Sequence, residues 1–265
     1  MNYKLIALDV DGTLLTDDHR ITEPTKRTIR EIYEEGAKIV LCTGRGPTNT
    51  EPVMKELGFE GIMITHNGAA TVESPSRSLL SIFSFPLEAV MPLIEYCREH
   101  RIQFDINTPF DLYTDFLHEG AAVMYKDFMV KPRILPDITT LSEAPVKFTL
   151  TGDIRVMDRA ESRWSRLGDQ LRLLRSGDRF IDIMNAEASK GNALRKLAEQ
   201  WGIPREQILA IGNYNNDLEM IEYAGLGIAM GNSPDEVKRL ADAETDSNNR
   251  DGVHKALQKY VLGRG

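Results

Sequence analysis

The chain alternates short apolar runs with polar loops and helical patterns. Leu5 to Leu8 is a continuous apolar run, and similar runs cover 37–42, 61–65 and 208–212. Runs of this length are typical of parallel strands that are buried on both faces. Each run ends in polar residues. The pattern therefore predicts that several strands present polar side chains at one edge of a sheet, where open α/β sheets bind ligands.

Helical patterns lie between the first of these runs. Thr22, Glu23 and Pro24 are typical of a helix start, and an apolar stripe at helical spacing follows until Gly36. A shorter helical pattern ends at Gly58. This succession of strand, helix, strand, helix and strand predicts right-handed crossovers and therefore a parallel sheet.

The pattern changes near the end of the first third of the chain. Segments that alternate polar and apolar residues, as antiparallel strands with one wet face do, replace the continuous runs. The earlier rhythm returns from Glu187, where Ser189 precedes an apolar helical stripe. We therefore predict an α/β fold whose parallel-sheet core comprises residues 1–82 and 185–265, with an inserted α+β domain over 83–184.

Two aspartates follow the first apolar run. In an extended chain Asp9 and Asp11 point to the same side, whereas Val10 points away. Two like charges this close raise each other's pKa unless a cation compensates them, which favours a metal site. An EF-hand loop is excluded because Leu14 and Arg20 occupy the positions that require Gly and Glu. A strand that simply ends in a polar turn remains the alternative.

Composition narrows the class of function. The 265 residues carry a formal net charge of -8 and the pI is about 5.3, so nothing favours a nucleic-acid or anionic membrane partner. Cys42 and Cys97 lack metal-binding spacing, which is typical of reduced, buried thiols. The sequence shows neither a signal peptide nor a long apolar stretch, and we expect a cytoplasmic protein.

Seven short motifs appear in order along the chain. They are DVDGTLL from Asp9, LCTGR from Leu41, HNGA from His66, SKGNAL from Ser189, GNYNND from Gly212, AMGN from Ala229 and DGV from Asp251. This set resembles the haloacid dehalogenase superfamily of phosphotransferases, specifically its Cof-type branch with a large α/β cap. The resemblance covers nearly the whole chain. It implies a Rossmann-like core, and it implies that the inserted domain is the cap.

The resemblance also implies a catalytic centre and a cofactor. Asp9 would be the nucleophile that forms an aspartyl-phosphate, and Asp11 would act first as general acid and then as general base. Mg²⁺ would be the cofactor. Its ligands would come from Asp9, the carbonyl of Asp11, Asn213 and Asp217.

Further motif residues would contact the phosphoryl group or the rest of the substrate. The phosphate-binding residues implied are Thr43, Gly44, Lys190 and Asn216, and the substrate contacts implied are Arg45 and Asn67. Simpler roles remain open for three of them. Lys190 could be an exposed lysine, Arg45 could pair with a nearby acid, and Asn67 with Gly68 is a turn signal.

This chain departs from the family pattern at Asn213, where an aspartate is usual. The neutral amide brings no charge, so we expect weaker Mg²⁺ binding and a larger contribution from Asp217. We predict a Mg²⁺-dependent phosphatase, a phosphoric monoester hydrolase, that acts on small phosphorylated metabolites, and the resemblance favours sugar phosphates. The alternatives are a phosphomutase, which needs a second basic phosphate clamp in the inserted domain, and a phospholigand-binding protein whose turnover Asn213 has weakened.

Overall fold

A computed structural model describes residues 2–127 and 130–264 of the chain. Positions 1, 128, 129 and 265, which fall within the domains expected from the sequence, lie outside the described residues. The chain divides into two compact units. The core unit comprises the chain up to Ser81 and from Ser189 onward, and the second unit is Ile82–Ala188. The divisions expected from the sequence lie after residues 82 and 184.

The strands and helices of the described residues follow one another in a regular order. The strands before the middle of the chain are β1 (Leu5–Asp9), β2 (Lys38–Cys42), β3 (Gly61–Thr65), β4 (Ala70–Ser74), β5 (Ser78–Ile82), β6 (Gln103–Asn107) and β7 (Leu112–Thr114). The later strands are β8 (Arg133–Ile134), β9 (Lys147–Thr151), β10 (Leu171–Gly177), β11 (Phe180–Asn185), β12 (Ile208–Gly212), β13 (Leu226–Ala229) and β14 (Ala243–Glu244).

Nine α-helices connect these strands within the described residues. They are α1 (Glu23–Glu34), α2 (Pro47–Leu57), α3 (Met91–His100), α4 (Glu119–Asp127), α5 (Ile154–Trp164), α6 (Lys190–Gln200), α7 (Leu218–Tyr223), α8 (Asp235–Leu240) and α9 (Gly252–Tyr260). In the part of the chain that the structure describes, no helix combines the length and apolar character needed to span a bilayer.

The core unit is built on one sheet with the strand order β14-β13-β12-β1-β2-β3-β4-β5. Neighbouring strands are parallel from β14 to β3, which confirms the predicted α/β class with a parallel-sheet core. The chain proceeds from β1 to β3 in one direction along the sheet and from β12 to β14 in the other. The topological switch point therefore lies between β1 and β12.

Burial on both faces explains the continuous apolar runs of the central strands. All residues of β1 and of β12 are buried. Leu5 and Ala7 of β1 share an apolar cluster with Ala193, Leu194 and Leu197 of α6. The apolar stripe predicted after Ser189 is thus the face of α6 that packs against the sheet.

Two local features differ from the sequence expectation. Strands β4 and β5 were not predicted; β4 pairs antiparallel with β3, and β5 is a partly exposed edge strand without a continuous apolar run. The helical spacing of Val90, Ile94 and Cys97 predicts a helix over 86–100, but the observed helix begins later. A 3₁₀ turn covers Leu87–Val90, and α3 begins at Met91 with Pro92 in its first turn, where proline is tolerated.

The second unit contains a separate sheet with the order β10-β11-β9-β6-β7-β8. Its pairs are antiparallel, as predicted, except that β7 and β8 are parallel. One face of this sheet is apolar. Phe104 of β6 and Phe148 of β9 lie in one buried cluster with Ile94 of α3 and Met157 of α5. The alternating pattern therefore places one side of each strand against helices.

The opposite face of this sheet carries buried polar residues. Strand register aligns Asp182, Thr149 and Asp105 across β11, β9 and β6. Asp105 accepts from Asn107 Nδ2 at 2.7 Å and from the hydroxyl of Tyr125 at 3.0 Å. Thr149 Oγ1 donates to Asp182 Oδ1 at 2.8 Å. This set, which we call the polar face, is almost fully shielded from solvent.

We expect Asp105→Asn to flatten the pH dependence of unfolding. Burial, opposed in part by Lys147, raises the pKa of Asp105 from 3.8 to about 6 in the folded protein. The folded state therefore holds this proton more tightly than the unfolded state does. Stability from this group is complete below about pH 4 and is lost as the pH rises through about 6, by on the order of 3 kcal/mol.

Urea unfolding of the wild type and of Asp105→Asn between about pH 4 and 8 measures this difference. The variant should lose less stability than the wild type as the pH rises. Asp169→Asn, at an exposed position of the same unit, is the matched control and should follow the wild type. Parallel curves for Asp105→Asn and the wild type would contradict the prediction.

Candidate active site

Polar residues gather at the carboxyl ends of the core strands. Asp9 is the last residue of β1, and Asn213 follows the neighbouring β12, where Leu8 and Ile211 are partners in register. Thr43 follows β2 and His66 follows β3. The motifs that lie far apart in the sequence therefore meet at the switch point of the sheet.

Lys190 lies between two carboxylates. Its Nζ donates to Oδ1 of Asp9 and to Oδ1 of Asp217, both at 2.7 Å, and its side chain is 0% exposed. Lys190 is the first residue of α6. Ser189 caps that helix by accepting from the backbone N–H of Asn192 at 3.0 Å, as predicted. An exposed lysine, the alternative that the sequence left open, is wrong.

Asp217 holds both this lysine and the loop that follows β12. Its Oδ2 accepts from the backbone N–H groups of Asn213 at 2.9 Å and of Tyr214 at 3.0 Å. Since Oδ1 accepts from Lys190, both carboxylate oxygens are engaged by donors of the protein. In this structure the Asp217 carboxylate contacts Lys190 and the loop, and a role for Asp217 as a metal ligand stays a prediction.

Lys190, Asp9 and Asp217 are buried together, and their formal charges do not sum to zero. Burial and, after it, the nearby charge of Asp217 raise the pKa of Asp9, whereas Lys190 lowers it, and together these effects bring that pKa to about 7. Burial alone would lower the pKa of Lys190, but the charges of Asp217 and Asp9 outweigh it and raise that pKa. One ammonium group therefore faces two carboxylates. The surplus negative charge favours a further cation beside Asp9.

Oxygen atoms converge on the side of Asp9 that faces away from Lys190. One polar atom of the Asn213 amide lies 3.0 Å from Asp9 Oδ2, 3.1 Å from the carbonyl oxygen of Asp11 and 3.3 Å from Thr13 Oγ1. The described residues contain no group of three His, Cys, Asp or Glu that could bind a metal. A mixed set of carboxylate, carbonyl and amide oxygens nevertheless suits Mg²⁺, and the surplus negative charge suits it as well. These residues fit the expected ion.

Asp11 has a different cationic partner. Arg45 donates to both of its oxygens, from Nε at 2.8 Å and from Nη2 at 2.5 Å. The Asp11 side chain is 49% exposed, whereas that of Asp9 is 6% exposed. Pairing with a nearby acid, one of the two roles considered for Arg45, is therefore its contact in this structure. The two neighbouring aspartates thus have distinct environments, one buried and one accessible.

The remaining predicted residues form a second connected group. Asn216 Nδ2 donates to Oδ1 of Asn67 at 3.0 Å, and the backbone N–H of Asn67 donates to the carbonyl of Thr43 at 2.9 Å. Thr43 Oγ1 accepts from the backbone N–H of Arg45 at 3.1 Å. A Cβ at Gly44 would come within 2.9 Å of Asn67 Oδ1. A larger residue at position 44 would therefore displace the Asn67 side chain.

Two asparagines that support the site had no role in the sequence analysis. Asn232 Nδ2 donates to the carbonyl of Gly12 at 2.8 Å. Asn248 Nδ2 donates to the carbonyl of Leu15 at 3.0 Å and to Asp17 Oδ1 at 2.9 Å. Both hold the loop after β1. Asn232 lies in the AMGN motif, which stands out in the sequence. Its contact with Gly12, however, could not be inferred from the sequence.

Comparison with known proteins finds a matching family and similar phosphatases. A family model described as haloacid dehalogenase-like hydrolase matches residues 6–257. The "Putative phosphatase YxeH" of Bacillus subtilis (strain 168) is 33% identical over 273 residues, which cover 99% of this chain and 100% of that protein. The 5-amino-6-(5-phospho-D-ribitylamino)uracil phosphatase YwtE of the same organism is 30% identical, with 98% and 99% covered.

A solved structure shows the same similarity in three dimensions. The crystal structure of a haloacid dehalogenase-like hydrolase from Bacteroides thetaiotaomicron superposes with a TM-score of 0.88 at 30% sequence identity. The alignment covers 97% of this chain and 99% of that one. The similarity therefore extends over both units.

We expect Lys190→Met to destabilise the protein strongly. Removal of the ammonium group leaves Asp9 and Asp217 buried without their shared partner, which costs about 3–5 kcal/mol. Lys196→Met, at an exposed position on the same helix, should change stability by less than about 0.5 kcal/mol. Denaturant unfolding of both variants at neutral pH measures the difference. Equal losses for the two would contradict the arrangement.

Proposed function

The chain belongs to the haloacid dehalogenase-like hydrolase family and is a phosphatase, and on that premise we propose that it hydrolyses small phosphorylated metabolites through an aspartyl-phosphate on Asp9. One observation carries the proposal. The Asp9 carboxylate is held from one side by Lys190 and faces the Asp11 carbonyl and Asn213 amide from the other. A carboxylate fixed in this way is oriented for attack on phosphorus.

In the first half-reaction, a carboxylate oxygen of Asp9 forms a bond to phosphorus as the bond to the leaving oxygen breaks. Asp11 gives its proton to that leaving oxygen. Lys190, Thr43, the backbone amide of Gly44 and Asn216 stabilise the negative phosphoryl oxygens. The products of this step are the dephosphorylated alcohol and the phosphorylated Asp9.

In the second half-reaction, water replaces the carboxylate on phosphorus. Asp11, now ionised, takes a proton from the attacking water. The bond from phosphorus to Asp9 breaks, which releases inorganic phosphate and restores the carboxylate. The exposure of Asp11 suits this exchange of protons with substrate and water.

Arg45 contacts Asp11, and substrate binding would break this contact. In the structure its guanidinium group donates to both oxygens of Asp11. An incoming phosphate ester would compete for the same donors. Movement of Arg45 toward the substrate would free Asp11 to carry the proton that the first step needs. Asn67 would contact the substrate beside Asn216.

The residues that would hold Mg²⁺ are Asp9, through Oδ2, Asp11, through its carbonyl oxygen, and Asn213, through its amide oxygen. When bound, the ion neutralises charge on the phosphoryl group and orients it toward the nucleophile. Asp217 would act on this set indirectly, because its own oxygens hold Lys190 and the loop amides.

Sugar and polyol phosphates are the substrate class that we propose. The polar face of the second unit, with Asp105, Thr149 and Asp182, offers donors and acceptors of the kind that recognise hydroxyl groups. We propose that this unit is the cap that selects the substrate. The relative YwtE is named as a phosphatase of 5-amino-6-(5-phospho-D-ribitylamino)uracil, whose phosphate is on a ribityl chain and which therefore belongs to the same chemical class.

A hydrolase is favoured over the two alternatives. A phosphomutase needs a second phosphate clamp, but Arg133 pairs with Asp111 at 2.9 Å and Lys147 with Asp182 at 3.6 Å. A protein that only binds phospholigands needs no nucleophile. The orientation of Asp9 by Lys190 suits turnover better than passive binding.

We expect the aspartyl-phosphate to accumulate in Asp11→Asn. With an aryl phosphate, whose leaving group needs no proton, Asp9 can still be phosphorylated, whereas water attack lacks its base. Acid quenching followed by mass spectrometry should find one phosphoryl group on Asp9. Turnover of the wild type should require Mg²⁺, and turnover of Asp9→Asn should fall by about a thousandfold or more.

Asp18→Asn is the matched control, because Asp18 is highly exposed and its side chain contacts Arg20 rather than the site. This variant should retain wild-type turnover and accumulate no phosphoprotein. A phosphoryl group at another residue, or full activity of Asp9→Asn, would overturn the proposed nucleophile.

A panel of phosphate esters tests the substrate class. We expect kcat/KM for pentose, hexose and polyol phosphates to exceed that for nucleoside monophosphates by about tenfold or more, because hydroxyl groups can pair with the polar face. The aryl phosphate serves as the reference that has no hydroxyl groups to recognise. A preference for nucleotides would contradict the class without affecting the assignment of Asp9.

A further inference from the structure

The Asn213 amide can present either of its ends to Asp9 and Asp11. The two ends exchange when the amide rotates by about half a turn, and they differ in hydrogen-bonding character, since Nδ2 only donates and Oδ1 only accepts. The end that faces the site lies 3.0 Å from Asp9 Oδ2 and 3.1 Å from the carbonyl oxygen of Asp11. Both of these neighbours are acceptors. The orientation of the amide therefore decides whether the contact is attractive.

With Nδ2 toward the site, the amide satisfies both acceptors. Its two hydrogens point at Asp9 Oδ2 and at the Asp11 carbonyl, and the nitrogen lies 3.3 Å from Thr13 Oγ1. This orientation needs no metal. It also places donor hydrogens beside a buried group of charges that carries surplus negative charge.

With Oδ1 toward the site, the amide oxygen lies 3.0 Å from Asp9 Oδ2 and 3.1 Å from the carbonyl oxygen of Asp11. These contacts repel unless a cation lies among them. In an ideal Mg²⁺ octahedron, ligands at about 2.1 Å place neighbouring oxygens about 2.9 Å apart. A separation of about 3 Å between the amide atom and each of the two oxygens therefore suits hydrogen bonding and also suits shared ligation of Mg²⁺. The hydroxyl of Thr13 serves both states, because it can accept from Nδ2 or donate to Oδ1.

Gly12 keeps the amide in this position. Its φ is +76°, and a Cβ there would come within 2.4 Å of the Asn213 side chain. Any larger residue would push the amide away from the two oxygens. The backbone N–H of Asn213 is anchored separately by Asp217 at 2.9 Å. The side chain can therefore rotate while its backbone stays in place.

An aspartate at position 213 could not occupy the metal-free state. It has no donor hydrogens, and it would add a third carboxylate to a group that has one ammonium ion. A chain with Asp at this position depends on the cation to relieve that repulsion. Asn213 supplies two hydrogen bonds in its place.

We propose that Asn213 is a two-state ligand, whose Nδ2 replaces the cation in the metal-free protein and whose Oδ1 binds the cation after the amide rotates. The proposal rests on the proposed function for the identity of the ion, which is Mg²⁺. It assigns to Asn213 a stabilising role that a simple loss of a charged ligand would not have. Mg²⁺ binding is weak because the ion must displace existing hydrogen bonds.

Thermal unfolding in EDTA and in Mg²⁺ separates these roles. In EDTA, Asn213→Ala should melt about 3–8 °C below the wild type because two acceptors, one of them on the buried Asp9, lose their donor. Asn213→Asp should melt at least as low as Asn213→Ala. Added Mg²⁺ should raise the melting temperature of Asn213→Asp most, of the wild type less and of Asn213→Ala least.

Calorimetric titration with Mg²⁺ alone should give Asn213→Asp a Kd at least about tenfold lower than that of the wild type. Asn249→Asp is the matched control. The Asn249 amide donates to Asp17 Oδ2 at 2.8 Å in an exposed pair, so the same substitution beside a carboxylate should change neither property. Since Mg²⁺ restores Asn213→Asp, a folding defect is distinguishable from the predicted effect.

The side-chain amide also gives a direct signal. In protein labelled with ¹⁵N-asparagine, the NH₂ resonances of Asn213, identified by their absence from Asn213→Asp, should be protected from exchange in EDTA. Mg²⁺ should shift them and remove that protection. Wild type and Asn213→Ala with equal stability in EDTA, or amide protection unchanged by Mg²⁺, would overturn the proposal. An inactive wild type with this stability order would instead count against the phosphatase function.

Discussion

The site depends on one buried ammonium group shared by two carboxylates. Lys190 reaches Asp9 and Asp217 at the same distance of 2.7 Å, and all three side chains are shielded from water. Separating such groups would leave charge buried without compensation, which costs several kcal/mol. The positions of β1, the start of α6 and the loop after β12 are therefore coupled. The catalytic geometry and the stability of this unit share a cause.

The three acidic residues near Lys190 make different contacts. Asp217 uses one oxygen for Lys190 and the other for two loop amides, so it orients and does not react. Asp9 keeps Oδ2 directed toward Asn213 and the Asp11 carbonyl. Asp11 extends outward to Arg45 and stays accessible to water. Three aspartates on one sheet edge thus have three environments, and these differences are the basis of the separate roles that we propose for them.

Features with a local cause could be predicted from the sequence. The strands ending at Asp9 and Gly212 were predicted because burial on both faces leaves a continuous apolar run, and Ser189 was predicted because a helix start needs an acceptor. Features set by distant partners could not be predicted. The burial of Lys190 and the engagement of Asp217 depend on residues far away in the chain, and the partly exposed β5 lacks the pattern that burial imposes.

The surplus charge that Lys190 leaves uncompensated also explains how an amide can serve where a carboxylate is usual. Asp9 Oδ2 must be satisfied by hydrogen bonds or by a cation, since a buried carboxylate oxygen cannot remain without a partner, and the Asp11 carbonyl lies beside the same amide. The free energy of cation binding is the difference in free energy between the hydrogen-bonded state and the cation-bound state. An amide at position 213 stabilises the hydrogen-bonded state and destabilises the cation-bound state. A carboxylate there does the reverse. Asn213 therefore changes the balance between two occupied states, and its effect on metal binding has to be measured against the stability that it gives the metal-free protein.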